Sequence, residues 1–360
     1  MNQIAYYITA HGYGHGTRSC DIIHALHATA PEIPIVVKTD LPRSFLNERL
    51  PAGTQIIPGA FDTGLIQRDS IQVDLEASLK AVAELYSREE DLLRRETEFI
   101  RKEDIGVAVA DIPAIPLAAA HRAGVPAIAT GNFGWDWIYS EFAQSDPRWQ
   151  PYVDKFRAVY EQTELLLRQP FSEPMSAFKN QIGLPLLASP GTNRRKHIAE
   201  QMGIDPSLKW VLLSFTTLNL GFQALENLAH LRRCAVFTVE PLEWLNSCIH
   251  CIRHSTASFA DALASMDVVV TKPGFGIVSE CIANRKPIVY TERENFLEYP
   301  VLVEGIEKYC RNTFIPNTEL YAGELERALD QIETAPAPPE TIPRNGAQVA
   351  ARHILEKLDR

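Results

Sequence analysis

Two short stretches of this chain gather residue types that can bind anions and move protons. The first is His11-Gly12-Tyr13-Gly14-His15-Gly16-Thr17-Arg18-Ser19. Its glycines let a ligand approach the backbone closely, and a helix starting behind them offers free N–H groups to an anion. An imidazole titrates near neutral pH, so His15 is a candidate general base; its competing role is to cap the helix or fill the turn. His11, Gly14 and Arg18 are candidates for the acceptor side of the same site. The second stretch runs from Asp267 to Glu280, where an apolar run ends in a glycine-rich turn at Gly274 and Gly276. Such a turn can hold a diphosphate through backbone N–H groups, with Lys272 as an added positive charge and Ser279 just beyond. Glu280 lies one helical turn after Gly276. Its carboxylate can accept both hydroxyls of a ribose, or it can simply complement the helix dipole.

Other residues qualify singly. Asp111 ends the apolar run Val107–Ala110, where an unpaired carboxylate is costly, so it is a second candidate base or else a cap for the next helix. Asn132-Phe133-Gly134-Trp135-Asp136-Trp137 is dense in aromatics. Indole faces pack well on sugar rings and Asp136 can bind hydroxyls, so Trp135 and Asp136 are acceptor-side candidates, with a core plug as the alternative. With two tryptophans two positions apart, one is expected to point inward and the other toward the site. Cys248 and Cys251, with His250 and His254, lack the second ligand pair that structural zinc requires, so no metal is expected. Thr17 stands where the dinucleotide fingerprint needs its third glycine, so no cofactor is expected either; Asp40, after the second apolar run, keeps a nicotinamide enzyme as a remote alternative.

These residues need a scaffold that presents them at strand ends. Apolar runs at Ile4–Thr9, Ile33–Lys38, Thr54–Ile57, Val107–Ala110 and Ala127–Thr130 alternate with helical patterns at Ser19–Thr29 and Leu75–Lys102. That rhythm predicts a parallel sheet covered on both faces, with ligand loops at the carboxyl ends of its strands. It breaks after Arg168, where Pro170, Pro174, Pro185 and Pro190 punctuate an aperiodic connection. A second alternation uses Trp210–Ser214, Ala235–Thr238, Val268–Thr271 and Ile288–Tyr290. A proline-rich spacer and an amphipathic helix near Gln348–Leu358 close the chain. The expected domains are 1–170, 171–344 and a final helix over 345–360, a length suited to two α/β cores. The net charge of −10 argues against nucleic acid as a partner. With neither an uninterrupted apolar run long enough for a membrane helix nor a basic leader, the expected location is the cytoplasm.

The two glycine-rich turns, one in each α/β half, resemble those of GT-B glycosyltransferases. The first is similar to the opening loop of the peptidoglycan N-acetylglucosaminyltransferase group. A nearer resemblance, along essentially the whole chain, is to the glycosyltransferase-like N-terminal portion of L-arabinokinases. Its elements here are His11–Arg18, Asn132 to Tyr139, Pro174-Met175-x-Ala177-Phe178 and Gly274-x-Gly276-x-Val278-Ser279-Glu280, with Arg293, Phe296, Glu298, Pro300 and Asn345-Gly346. The resemblance implies an α/β, GT-B fold: two Rossmann-like domains facing across a cleft, with a final helix returning to the first domain. It implies a nucleotide-sugar donor, a UDP-sugar by analogy, and a small-molecule or glycan acceptor. It places Glu280 on the donor ribose, Gly274 and Gly276 at the diphosphate, Glu298 at the donor sugar and Phe259 near the base, where a plain core aromatic is the alternative.

Two departures qualify this. Phe215-Thr216-Thr217 replaces the glycines usual after the first strand of the donor domain, so Thr216 and Thr217 would meet the donor with hydroxyls. Lys272 stands where retaining members often carry a second glutamate, which favours inversion through one general base, His15 or Asp111, without a metal. A nucleotide-sugar hydrolase or epimerase of the same fold and a non-catalytic nucleotide-sugar-binding module are the alternatives.

Overall fold

The computed structural model describes residues 3–66, 73–231, 233–245, 249–293 and 296–358. Cys248, and with it the Cys248–Cys251 pair, lies outside them. The chain forms two compact units, each built on one fully parallel sheet.

The first unit comprises 3–66, 74–188 and 343–358. Its strands are β1 (Gln3–Ile8), β2 (Ile35–Lys38), β3 (Gln55–Ile57), β4 (Ile105–Asp111), β5 (Ala127–Gly131), β6 (Leu165–Arg168) and β7 (Gln181–Gly183). They lie in the order β3-β2-β1-β4-β5-β6-β7. Strands β1 and β4 are buried on both faces, as a parallel sheet covered by helices requires. The strand order reverses between β1 and β4, paired from Gln3↔Ile105 to Ile8↔Asp111. The loops leaving their carboxyl ends part in opposite directions there, opening the crevice in which such sheets bind ligands.

Several elements differ from expectation. The stretch read as one helix over Leu75–Lys102 is two, Leu75–Tyr86 and Glu89–Lys102. Ser87 bonds back to the Glu84 carbonyl at 2.7 Å, and Glu89, Glu90 and Asp91 favour a fresh N-terminus. Strand β7 falls inside the proline-punctuated connection; Gln181-Ile182-Gly183 is too short to show a period of two.

The final helix, Gly346–Leu358, packs on the helix Tyr13–Thr29. Ala350, Ala351, Ile354 and Leu358 thereby join the core beneath β1, as expected of a returning helix. Gly346 is required at its start: a methyl group there would sit 2.2 Å from the Pro185 carbonyl.

The second unit carries β8 (Lys209–Ser214), β9 (Cys234–Val239), β10 (His250–Ile252), β11 (Val268–Thr271), β12 (Ile288–Tyr290) and β13 (Asn312–Phe314). Their order is β10-β9-β8-β11-β12-β13, so the reversal falls between β8 and β11, with Ser214 opposite Thr271. Strands β10 and β13 were not foreseen: Cys251 and Thr313 interrupt the apolar character that marks their neighbours. Among the described residues no helix is long and apolar enough to cross a membrane.

Candidate functional site

At the switch point of the first sheet, the glycine-rich stretch is less of a loop than its composition suggested. The helix already starts at Tyr13, capped by the Gly12 backbone without a side-chain bond. His15 and Arg18, three apart, therefore share one helical face. That face meets Asp111, the last residue of β4, which is sealed from solvent at 0% exposure. Arg18 grips the carboxylate bidentately, Nε to Oδ2 at 2.7 Å and Nη2 to Oδ1 at 2.6 Å. Ser19 Oγ donates to Oδ2 at 3.0 Å, and His15 Nδ1 lies 2.8 Å from Oδ1. Arg18 Nη1 also donates to Asn132 Oδ1 at 2.7 Å, which ties the aromatic segment after β5 into the network.

The electrostatics divide the labour. Burial alone would raise the Asp111 carboxyl, but Arg18 and His15 outweigh it and hold it well below the usual carboxylate range. A carboxylate that holds its charge so firmly, with every lone pair engaged, is a poor proton acceptor. Each oxygen of the Asp111 carboxylate meets two neighbours within hydrogen-bond distance. Burial, helped by the Arg18 charge and opposed by Asp111, pushes the His15 imidazole below its ordinary value. The ring is therefore neutral at pH 7. Arg18 Nη2 also stands 2.8 Å from Nδ1, yet the proton is assigned to Nδ1. Without it, a nitrogen lone pair would face a full carboxylate charge at 2.8 Å. The assignment leaves the lone pair on Nε2.

The remaining first-unit candidates fall around this group. His11 lies between Trp135 and His15, its ring centroid 5.3 Å and 5.2 Å from theirs. Trp135 is the inward tryptophan of its pair at 1% exposure, stacked on Tyr139, whereas Trp137 is half-buried. Gly14 sits half-buried in the first helical turn. Asp136 is buried, and burial, against the pull of Arg157, raises its carboxyl.

Two acids of this region were not foreseen. Asp62 accepts from Thr9 Oγ1 at 2.6 Å and from Trp135 Nε1 at 3.1 Å. Burial, against those two donors, raises it to about 6. Its loop ends at Gly64, where φ is +60° and a methyl group would stand 2.4 Å from His11. An acid bracketed by Gly59 and Gly64 after a short strand was the available signal. Glu173 accepts from the Met175 backbone N–H at 2.6 Å, and burial lifts it to about 7.

The second unit repeats the design at its own switch point. The helix Phe275–Asn284 starts behind Gly274, which has extended backbone and no side-chain cap. A methyl group on Gly274 would meet only Ile277, at 3.8 Å, so packing does not require glycine there. Lys272 and Gly276 are half-buried beside this turn, and Thr216 and Thr217 are exposed after β8. Glu280 and Glu298 are buried, and Phe259 is half-buried at the start of the helix Phe259–Ser265. Ser279 is buried, and its Oγ has no hydrogen-bond partner among the described residues. Among the described residues no cluster of three or more His, Cys, Asp or Glu side chains could hold a metal ion.

No protein-family model matches the chain. Its sequence is similar to the L-arabinokinase of Arabidopsis thaliana, 29% identical over 373 residues, which covers 98% of this chain and 34% of that protein. The chain thus spans about a third of that relative's length. Among solved structures, the glycotransferase of kitacinnamycin superposes with a TM-score of 0.62 at 16% identity, covering 99% of this chain and 94% of that one. UGT89C1 of Arabidopsis thaliana complexed with UDP-L-rhamnose gives 0.58 at 12% identity, with 99% and 94% covered. The fold is accordingly the GT-B fold of glycosyltransferases.

Proposed function

We propose that the chain transfers a sugar from a nucleotide-sugar to a hydroxyl-bearing acceptor, with inversion at the anomeric carbon and without a metal. The observation that carries this is the His15–Asp111 pair: a neutral imidazole held by Nδ1, at the ligand end of a switch point. An acceptor hydroxyl gives its proton to His15 Nε2 as its oxygen bonds to the anomeric carbon. Asp111 stabilises the imidazolium that forms. The bond from that carbon to the diphosphate oxygen breaks, and the leaving group departs with the electron pair. The first helical turn behind Gly274 and the Lys272 side chain then meet its developing charge.

The donor belongs to the second unit in this proposal. Glu280 binds the ribose, Thr216 and Thr217 contact the phosphates, and Glu298 and Phe259 flank the sugar and the base. His11, Gly14, Arg18, Trp135 and Asp136 belong to the acceptor side, with Trp135 acting through Asp62 and His11 rather than by touching the acceptor. A UDP-sugar is the donor class to try first, since UGT89C1 is complexed with UDP-L-rhamnose.

The test is a panel of nucleotide-sugars offered with and without hydroxyl acceptors, read by release of nucleoside diphosphate. Acceptor-dependent release is expected. Its rate should rise with pH to a plateau, with the half-rise below 6.5, because His15 must be neutral and its value is lowered. His15→Ala should lose about 10²–10⁴-fold in turnover together with that acid limb. Release without acceptor would make the chain a hydrolase, and binding of the nucleotide without release would make it a non-catalytic module.

A further inference from the structure

Buried cations in the first unit all have a partner with a full negative charge. Arg18 is paired with Asp111, and Lys38 with both oxygens of Glu96 at 2.7 Å and 2.6 Å. Arg293 of the second unit, half-buried with its Nε sealed, has no such partner among the described residues. Its guanidinium carbon stands 3.2 Å from the centroid of the Phe296 ring. One long bond, 3.4 Å from Nη1 to the Pro273 carbonyl, is its hydrogen bond, and Nε is sealed from solvent with no partner at all. Among the described residues no carboxylate lies within ion-pair distance of it. Burial pulls the group down to about 10, with Glu298 opposing from farther away. A guanidinium held this way is costly unless something supplies the missing charge.

Its position says what that charge is. Arg293 follows β12, whose Tyr290 is paired with Thr271 of β11. Pro273, which it touches, directly precedes Gly274 and the uncapped helix N-terminus. A rigid fork of donors thus lies beside the turn that opens a helix, and a guanidinium and a helix N-terminus both favour a tetrahedral oxyanion.

We infer that Arg293, braced on Phe296, is the charged half of an anion clamp whose other half is the helix N-terminus behind Gly274, and that the clamp holds the diphosphate of the donor. The assignment of that diphosphate rests on the function proposed above; the clamp itself rests on Arg293. Arg293 is a binding and leaving-group residue here, complementary to Lys272.

The experiment is calorimetric titration of the whole chain and its Arg293→Gln and Arg293→Lys variants with UDP, uridine and inorganic pyrophosphate. UDP affinity should fall about tenfold or more in Arg293→Gln, with Arg293→Lys between the two, because a charge-assisted bond is lost. Uridine affinity should not move. Phe296→Leu, which removes the brace and keeps the charge, should give a smaller loss of the same kind. Equal UDP affinity in wild type and Arg293→Gln overturns the clamp, and so does an equal loss for UDP and uridine. Arg293-dependent binding of pyrophosphate by a chain that ignores UDP would support the clamp and sink the nucleotide-sugar donor. Failure of the wild type to bind either UDP or pyrophosphate overturns both.

Discussion

The two switch points are built alike and charged differently. Each has a buried strand, a glycine cap without a side-chain bond, and a helix whose first turn faces the strand ends. Behind Gly12 the charges are closed on themselves: Asp111 takes Arg18 bidentately, Ser19 and His15, and only the far nitrogen of His15 is left for chemistry. Behind Gly274 the Arg293 guanidinium has its Nε without a hydrogen-bond partner and, among the described residues, no carboxylate within ion-pair distance. Closed charges hold a proton-transfer group in one state, whereas open charges recruit a ligand. The first kind of site is therefore expected to be coupled to folding and the second to binding.

The sharpest way to break this contrast is to open the closed side. Arg18→Met leaves Asp111 buried with its main counter-charge gone, so it should destabilise the fold by about 3–5 kcal/mol, read as a lowered urea midpoint. Adding Asp111→Asn should recover much of that loss, since the buried charge is then removed. If the single variant kept its stability, Asp111 would be compensated by something other than Arg18, and the two switch points would not differ as described.

A milder change sharpens the open side. A methyl group at Gly274 meets nothing closer than Ile277 at 3.8 Å. Gly274→Ala should thus cost less than about 1 kcal/mol of stability, the scale of an N-cap exchange. It should nevertheless weaken UDP several-fold by standing where the ligand must approach. A variant that lost stability and kept its affinity would mean that Gly274 serves packing and not access.

Much of this was legible beforehand because parallel sheets announce themselves. Val268-Val269-Val270-Thr271 and Ile4 to Ile8 are apolar on both faces, so their carboxyl ends, and hence His15, Asp111 and Gly274, could be located from pattern alone. Partnership was not legible. Nothing in the spacing says that Arg18 spends its charge on a residue 93 positions away, or that the Asp111 carboxylate is thereby engaged on both oxygens. Asp62 and Glu173 escaped for the same reason. Their raised values come from burial by neighbours remote in sequence, and their own stretches carry only a glycine-bounded turn and a few prolines. Arg293 was visible as part of a resemblance, but its missing counter-charge is a property of the folded unit.

Asp62 offers the finest test, because it is the exception within the closed region. It is an acid in a desolvated site whose donors, Thr9 and Trp135, are neutral, and burial raises it to about 6. In the unfolded chain the same carboxyl loses its proton near 3.9. Between those two values the folded state binds the extra proton, so Asp62 supports the fold at low pH and ceases to do so as pH rises through about 6. An asparagine fits the same place. Its carbonyl can accept from Trp135 Nε1, and its amide can donate to the Thr9 hydroxyl. Asp62→Asn should therefore gain stability relative to wild type as pH is raised from about 4 to 7, measured as the difference between their urea midpoints. Taking the difference cancels the opposite trend from His15, whose lowered value costs stability as pH falls below 6.5. A difference that stayed constant across that range would mean that Asp62 is compensated after all, and that the region behind Gly12 is closed without exception.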